Sequence, residues 1–361
     1  MTSSPPRRAQ TLRRYAILAP GRFASRSAKT AHGVIAYARD ETVAVIDPTR
    51  AGERVCDAVP YLSSDAPIVN DLDEALRYDP TALLIGVAPA GGTLPTAWRA
   101  AIVQALEAKL EIVSGLHEIL GDDPEFAAAA YRSGAPIWDV RVPPEPRLFG
   151  GRVHERSSRV ALFVGSDCAV GKMTAALELT AAARARGRRA EFIATGQTGI
   201  MIAGRGIAVD RVIADFASGA VEQLVIESPP DAEILFVEGQ GGINHPAYAP
   251  VTIALLFGCA PDALILVHLA TRERIEDYGT PLLSLPRLVE VYEGLCATVK
   301  AAKVCGIALN THGLDETSAR AAIDAARAQT GLPADDVVRY GPQALYDAIA
   351  PALTAKTKAL A

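Results

Sequence analysis

The chain has 361 residues, half of them hydrophobic, and a formal net charge of −5 at pH 7. This length accommodates two domains with separate cores, and the mild charge gives no electrostatic basis for nucleic-acid or membrane partners. The five cysteines are scattered without a Cys-x-x-Cys pair, so we expect a cytoplasmic, reducing environment and no zinc site. Residues 1–14 are rich in Pro, Ser and Arg and lack an apolar signal region, so we expect a disordered tail.

The first half of the chain alternates short β-branched runs with alanine-rich helical patterns. The predicted strands are Tyr15–Ala19, Thr42–Ile46, Ala82–Val87, Glu111–Val113 and Ile137–Val140. The predicted helices are Ala28–Arg39, Leu72–Tyr78, Thr96–Lys109 and Pro124–Arg132. This alternation is typical of βαβ units around a parallel sheet. We therefore expect an α/β domain over residues 15–142, followed by a Pro- and Gly-rich linker over 143–158.

The second half repeats the alternation and predicts a doubly wound α/β domain over residues 159–361. Its predicted strands are Val160–Val164, Ala190–Ala194, Ile234–Val237, Ala263–Val267, Val304–Leu309 and Val337–Tyr340. Its predicted helices are 171–186, Arg211–Ile226, Leu285–Lys300, Glu316–Thr330 and Pro342–Lys356. The apolar stretch Val251–Ala270 is interrupted by Gly258 and Pro261, and it predicts a buried helix and strand rather than a membrane span. Ligands of such sheets bind at the carboxyl ends of the strands.

A glycine-bounded loop joins the first strand of this domain to its first helix. The loop reads Gly165-Ser166-Asp167-Cys168-Ala169-Val170-Gly171-Lys172-Met173-Thr174. This is the layout of a P-loop, in which backbone N–H groups, a helix N-terminus and a lysine hold an anion. Met173 stands where nucleotide hydrolases have the hydroxyl that ligates Mg²⁺, although Thr174 could substitute in a shifted loop. The motif predicts a phosphate-binding loop. Because Met173 lacks the hydroxyl, metal-dependent nucleotide chemistry is less favoured.

Three more glycine-containing loops follow predicted strands of the same sheet. They begin at Thr195, Glu238 and Asn310, and the first of them runs through Met201 with Gly204 and Gly206 close behind. Because the carboxyl ends of parallel strands share one edge, we expect these loops to converge with the P-loop on one crevice. Four such loops predict a site for a phosphorylated ligand.

The motif at 165–172, with the Val-Glu-Gly-Gln-Gly-Gly loop at 237–242, resembles dethiobiotin synthetase and its P-loop relatives. A closer resemblance is to the D-glutamate N-acetyltransferase family, at 167–174, 195–199, 238–241, 245–248 and 28–33. That resemblance implies a Rossmann-like N-terminal domain and a P-loop NTPase-like C-terminal domain. It also implies transfer of an acetyl group from acetyl-CoA to the amine of a D-amino acid. The expected acceptor is D-glutamate. Acetyl-CoA carries phosphates, so a P-loop can serve it without phosphoryl transfer.

Acyl transfer to an amine needs a base, donors for the oxyanion and cations for the substrate carboxylates. Glu238 ends an apolar strand, where burial should raise its pKa, so we expect it to be the base, or else to order the P-loop or a bound ion. His245 is the alternative base, or a hydrogen-bonding residue of its turn. Asp167 is a third catalytic candidate that orients Lys172 or the incoming amine. His268, late in an apolar strand, is expected to be a core histidine.

The binding residues follow from the same loops. We expect the carrier to be bound by Gly165, Ser166, Cys168, Ala169, Val170, Gly171, Lys172, Met173, Thr174 and Asn310. We expect the amino acid to be bound by Gln197, Thr198, Arg205, Gln240, Gly241 and Tyr248, with Arg205 pairing a carboxylate. Cys168 precedes a helix N-terminus and is either a packing residue or an acyl-carrying nucleophile.

The sequence leaves two other functions open. One is an ATP- and Mg²⁺-dependent ligase or kinase of the dethiobiotin synthetase type, and the other is a regulator that senses a nucleotide or CoA. No His, Cys and Asp residues have metal-ligand spacing, so we expect no metal. A homo-oligomer is expected for a metabolic enzyme of this size.

Overall fold

The computed structural model describes residues 12–87, 89 and 92–354 and divides the chain into two compact units. The N-terminal unit contains the chain up to Val142 together with Gln197–Arg205. The C-terminal unit contains Pro143–Gly196 and the chain from Gly206 onward. The predicted tail lies outside the described residues except at its end, where Arg14 already begins the first strand.

The N-terminal unit is built on a six-stranded parallel sheet. Its strands are β1 (Arg14–Leu18), β2 (Glu41–Ile46), β3 (Ile68–Val69), β4 (Ala82–Ile85), β5 (Glu111–Ser114) and β6 (Ile137–Asp139). Its helices include α1 (Lys29–Tyr37), α2 (Val55–Ala58), α3 (Leu72–Leu76), α4 (Arg99–Glu107) and α5 (Pro124–Ser133). The strand order β3-β2-β1-β4-β5-β6 reverses at β1, which is the order of Rossmann-like sheets.

The C-terminal unit has a second six-stranded parallel sheet. Its strands are β7 (Arg159–Gly165), β8 (Ala190–Ile193), β9 (Ile234–Val237), β10 (Ala263–Leu269), β11 (Lys303–Asn310) and β12 (Ala334–Asp335). Its helices are α6 (Lys172–Ala185), α8 (Ala214–Ile226), α9 (Ala249–Cys259), α10 (Leu285–Ala297), α11 (Glu316–Thr330) and α12 (Gln343–Thr354). The order β12-β11-β10-β7-β9-β8 puts β7 at the centre, where the winding changes direction. Ligands are expected at that point, beyond the carboxyl end of β7.

The predicted fold class, two α/β domains with parallel sheets, is confirmed. The central strands β7, β9 and β10 are almost wholly buried, which agrees with the continuous apolar runs in their sequences. The predicted helix and strand within Val251–Ala270 are also confirmed as α9 and β10. Across the described residues, none of the helices is both apolar enough and long enough to cross a membrane.

One predicted strand, Val337–Tyr340, is wrong. The strand of this region is β12, which ends at Asp335. The Asp336 carboxylate accepts from the backbone N–H groups of Val338 and Arg339 at 3.0 and 2.9 Å. An aspartate that binds the backbone two and three residues ahead forms a turn. The turn therefore replaces the strand that the β-branched residues predicted.

The segment that follows β8 was predicted to be a loop, but it contains a helix, α7 (Gln197–Ala203). Ile200 and Met201 are buried, and their burial outweighs the low helix propensity of Gly199. This helix belongs to the N-terminal unit, where Thr198 Oγ1 lies 3.1 Å from Thr30 Oγ1. The range assigned to the second domain from sequence thus includes a segment that packs in the first unit.

Candidate functional site

Lys172 is the first residue of α6, and its ammonium group is turned into the loop that precedes the helix. Nζ donates to the backbone oxygens of Asp167 and Gly241, each 2.7 Å away. Gly239 packs so tightly here that an added Cβ would lie 1.6 Å from the carbonyl oxygen of Phe163. Lys172 therefore joins the loop after β7 to the loop after β9.

The loop before Lys172 has a backbone suited to anion binding. Ala169 and Gly171 adopt positive φ angles of 52° and 108°, which turn successive N–H groups toward a common point. Among the described residues, nothing accepts a hydrogen bond from the backbone N–H groups of Ala169, Val170 or Gly171. Asn310 supports the loop from behind by donating from Nδ2 to the Val170 oxygen at 3.1 Å. These N–H groups and the N-terminus of α6 form a site for a negatively charged group.

The Asp167 side chain is fully buried and takes three hydrogen bonds. Oδ2 accepts from Arg272 Nη1 at 2.9 Å and from the backbone N–H of Glu276 at 2.8 Å. Oδ1 accepts from the backbone N–H of Cys168 at 2.7 Å. Asp167 orients Lys172 through its backbone oxygen, while its carboxylate holds the loop after β10. A carboxylate with these partners is an anchor between the two loops.

His245 is buried behind the same loop with a defined tautomer. Its Nδ1 accepts from the backbone N–H groups of Ala247 and Tyr248 at 3.2 and 3.3 Å. The neutral ring must therefore carry its hydrogen on Nε2, which lies 3.9 Å from Asp167 Oδ1. The rings of Tyr248 and Tyr278 pack against it, with centroids 4.6 and 5.1 Å away. In this arrangement His245 is a donor at Nε2 and has no nitrogen available as a base.

One group of potential metal ligands lies at this site. An Asp167 carboxylate oxygen, the Cys168 Sγ and a ring nitrogen of His245 lie within 4.8 Å of one another. Spacing in the sequence did not indicate this group, because its members come from two loops. A metal would need a lone pair on His245 Nε2, and the hydrogen bonds to Nδ1 put a hydrogen there instead. Asp167 is also occupied by Arg272, so the three residues as arranged do not fit a bound cation.

Glu238 follows β9 and is almost fully buried at the edge of the site. Its Oε2 accepts from the backbone N–H groups of Thr195 and Gly196 at 2.9 and 3.1 Å. Burial raises its pKa to about 7, against the opposing effects of these N–H groups, the Lys172 charge and a hydrogen bond from Gln240. Glu238 therefore both orders the loop after β8 and changes its protonation state near neutral pH.

The loop after β10 was missed by sequence reasoning. It supplies Arg272 and Glu276 to the site, and β10 itself supplies His268, whose Nδ1 lies 2.8 Å from Ser166 Oγ. Burial, with a smaller effect of Arg272, lowers the pKa of His268 to about 4, so this histidine is neutral and contacts the P-loop. The available signal was the arginine just beyond a predicted strand end, once β10 is known to neighbour β7.

The predicted amino-acid ligands fall in two groups. Gln240, Gly241 and Tyr248 belong to the C-terminal unit, where Gln240 Nε2 donates to Thr195 Oγ1 at 3.1 Å. The remaining three, Gln197, Thr198 and Arg205, belong to the N-terminal unit. There, Gln197 Oε1 accepts from Arg141 Nη2 at 2.5 Å. The structure thus brings only the first group together with Lys172 within one unit.

Two family models match consecutive parts of the chain. Residues 147–346 match the "Domain of unknown function (DUF1611_C) P-loop domain", and residues 48–143 match the "Domain of unknown function (DUF1611_N) Rossmann-like domain". The chain belongs to the DUF1611 family. The predicted Rossmann-like and P-loop domains are thereby confirmed.

Named relatives of this family are similar over most of their length. The D-glutamate N-acetyltransferase of Tritonibacter scottomollicae is 43% identical over 283 residues, which are 77% of this chain and 84% of the relative. The D-glutamate N-acetyltransferase of a Pseudoalteromonas species is 35% identical over 275 residues, 74% of this chain and 81% of the relative. A crystal structure of a DUF1611 family protein from Anabaena variabilis is 39% identical with a TM-score of 0.89. That similarity covers 94% of this chain and 99% of the solved one.

These relatives confirm the family resemblance that the motifs indicated. They also confirm the class of enzyme expected from sequence: the chain is an acyltransferase of the N-acetyltransferase type. Nothing in the comparisons favours the ligase or kinase alternative.

Proposed function

We propose that this chain transfers the acetyl group of acetyl-CoA to the amine of D-glutamate. Family membership and the names of the two relatives support this substrate pair. The observation that carries the proposal in this chain is the Glu238 carboxyl group, whose pKa burial raises to about 7. A group with such a pKa accepts a proton from a substrate ammonium most effectively near neutral pH.

Glu238 is the proposed general base. The Nδ1 bonds of His245 and the Arg272 ion pair of Asp167 favour Glu238 over these two other predicted catalytic residues. Glu238 takes one proton from the ammonium, and the neutral amine then attacks the acetyl carbonyl carbon. The backbone N–H groups of Ala169, Val170 and Gly171 are suitable donors for the oxyanion that forms.

Lys172 and the surrounding loop are proposed to bind one anionic group of the reaction. Sequence motifs assign this place to the phosphates of CoA, with residues 165–174 and Asn310 as ligands, and that assignment stays a prediction. Gln240, Gly241 and Tyr248, with Gln197, Thr198 and Arg205, stay the predicted ligands of the amino acid. Tyr248 is half exposed, which supports its contact with a small substrate.

We also propose a cytoplasmic location and self-association. None of the five cysteines, all of which the structure describes, forms a disulfide, as expected in a reducing compartment. The net charge of −5 gives no support for nucleic-acid binding. Self-association is expected from the size of the chain, and sedimentation of the purified protein tests it.

The test is acetyl transfer by the purified protein, measured as release of CoA and as acetylated product by mass spectrometry. D-Glutamate should be acetylated, and L-glutamate and D-aspartate serve as acceptor controls. Glu238→Gln should lower kcat about 10²–10⁴-fold, because an amide cannot take the proton. The matched control is Glu227→Gln, an exposed glutamate at the end of α8, which should leave kcat unchanged. Absence of turnover with D-glutamate would remove the proposed acceptor.

Calorimetry separates this function from the nucleotide-dependent alternatives. We expect heat of binding with CoA and none with ATP and Mg²⁺. The reverse result would favour the ligase or kinase instead.

A further inference from the structure

Cys168 lies in the loop between β7 and α6, close to two buried side chains. Its Sγ lies within 4.8 Å of both the Asp167 carboxylate and a ring nitrogen of His245. Cys168 is only half-buried, whereas the Asp167 and His245 side chains have exposed fractions of 0 and 2%. Cys168 is thus the most exposed member of this cluster.

Several hydrogen-bond donors lie near Cys168. The hydrogen on His245 Nε2 faces the Asp167–Cys168 pair, because Nδ1 is occupied by two backbone donors. The N-terminus of α6 begins four residues later, and helix N-termini attract negatively charged groups. The backbone N–H groups of the intervening Ala169, Val170 and Gly171 have no acceptor among the described residues. An oxyanion that forms beside Cys168 would find donors here.

The loop with the base runs against the loop with the thiol. An added Cβ at Gly242 would lie 3.0 Å from Asp167 Cα and 3.1 Å from the Ser166 oxygen. Lys172 ties the same two loops together through its bonds to Asp167 and Gly241. Groups that attack, donate and accept a proton are therefore gathered on two neighbouring loops.

We propose that Cys168 is the nucleophile of a two-step acetyl transfer and carries the acetyl group as a thioester. This inference rests on acetyl-CoA as the donor. In the first step the Cys168 sulfur attacks the carbonyl carbon of acetyl-CoA, the bond from that carbon to the CoA sulfur breaks, and CoA leaves with the proton of the Cys168 thiol. In the second step the amine, after giving one proton to Glu238, attacks the acetyl carbon. The carbon–sulfur bond to Cys168 breaks, and the second amine proton goes to the departing sulfur.

The proposal also changes what the P-loop holds. Lys172 is bound to the loop that follows Glu238, so both lie at the reacting end. The diphosphate and the thioester of CoA are separated by the whole pantetheine arm. With an extended arm, the diphosphate cannot occupy the loop while the thioester is at Cys168. The loop then serves the carbonyl oxygen and the substrate carboxylates, and the phosphates bind elsewhere.

The test is intact-protein mass spectrometry of the full chain after mixing with acetyl-CoA in the absence of an amine. One acetyl group should appear on the protein, peptide mapping should place it on Cys168, and addition of D-glutamate should remove it. Cys168→Ala should abolish this labelling and lower kcat/KM at least about a thousandfold. The control is Cys56→Ala, the half-buried cysteine of α2 in the N-terminal unit, which should retain labelling and activity.

The Cys168→Ser variant is a control for misfolding of the alanine variant, since its hydroxyl is close in size to the thiol. With far-ultraviolet circular dichroism like that of the wild type, it should also lose the acetyl-thioester intermediate. Initial rates should follow a ping-pong pattern in the wild type.

Turnover of D-glutamate without labelling of Cys168, or with activity retained in Cys168→Ala, would overturn this inference and leave the proposed function intact. Labelling of Cys168 without acetylation of D-glutamate would support the inference and remove the proposed acceptor. Absence of both labelling and turnover would reject both.

Discussion

Arg272 Nη1 donates to Asp167 Oδ2 at 2.9 Å, and this ion pair fixes the loop after β10 to the loop after β7. The Asp167 side chain is fully buried and that of Arg272 is 13% exposed. Arg272 also contacts Glu276 Oε1 at 3.3 Å. The pair therefore holds together two loops at the carboxyl edge of the sheet.

Removal of the arginine should leave an uncompensated buried carboxylate. We expect Arg272→Met to lower the free energy of unfolding by about 3–5 kcal/mol, measured by urea denaturation. The control is Arg287→Met, which removes an exposed pair with Glu290 on α10 and should cost less than about 1 kcal/mol. Equal effects of the two variants would show that the Asp167 pair is not a structural anchor.

The role of Lys172 can be separated from phosphate binding with a short donor. We expect Lys172→Met to lower kcat/KM about 10²–10³-fold with acetyl-CoA and equally with S-acetyl-N-acetylcysteamine, because the ammonium lies at the reacting end. Steady-state kinetics with both thioesters measures this. A loss that appears only with acetyl-CoA would instead assign Lys172 to the CoA phosphates.

Glu238 should make both activity and stability depend on pH. Burial raises its pKa from 4.5 to about 7, so the reactive carboxylate forms as the pH rises through about 7 and kcat should rise with it. A pH–kcat profile of the wild type measures this. A flat profile across that range would count against Glu238 as the base.

The same carboxyl group should lower the free energy of unfolding as the pH rises, whereas it raises kcat. A raised folded-state pKa stabilises the protein fully below 4.5, and this contribution is lost as the pH rises through about 7. The loss is about 3 kcal/mol at 1.36 kcal/mol per pH unit. We expect the unfolding free energy of the wild type to fall by this amount relative to Glu238→Gln, which cannot ionise. Parallel stability curves for the two proteins would contradict the buried, titrating carboxyl group.

Two helix glycines provide a matched pair for the packing of the C-terminal unit. A Cβ at Gly219 in α8 would lie 2.0 Å from the backbone oxygen of Arg147, whereas a Cβ at Gly294 in α10 meets nothing within 4 Å. Gly219→Ala should therefore lower the melting temperature. Gly294→Ala should raise the unfolding free energy by about 0.5–1 kcal/mol through helix propensity alone. Calorimetric melting of both variants tests this, and a harmless Gly219→Ala would show that the 143–158 segment does not pack closely on α8.

Sequence patterns were sufficient for the elements whose cause is local. Strand β9 and helix α11 have the predicted bounds. A short continuous apolar run is typical of a buried strand, and a long amphipathic run is typical of a helix. The burial and raised pKa of Glu238 were predictable for a similar reason, since a carboxylate that ends an apolar strand must be partly desolvated.

Most features that the sequence did not predict depend on contacts between residues distant in sequence. Arg272 lies 105 residues from Asp167, and their meeting depends on β10 neighbouring β7, which the order of elements along the chain does not determine. The hydrogen bonds that give His245 its tautomer are local, but they depend on the detailed geometry of its turn, which the residue types alone do not determine. Helix α7 was mistaken for a loop because its burial is provided by another part of the chain.

The position of α7 in the N-terminal unit limits how the gene can recombine. The chain passes from one unit to the other after Val142, after Gly196 and after Arg205. A single recombination breakpoint therefore cannot exchange either unit for a foreign one, because a gene ending at Val142 would omit the helix that carries Thr198 beside Thr30. Substitutions can change each unit of this enzyme, but recombination cannot readily exchange one unit as a separate module.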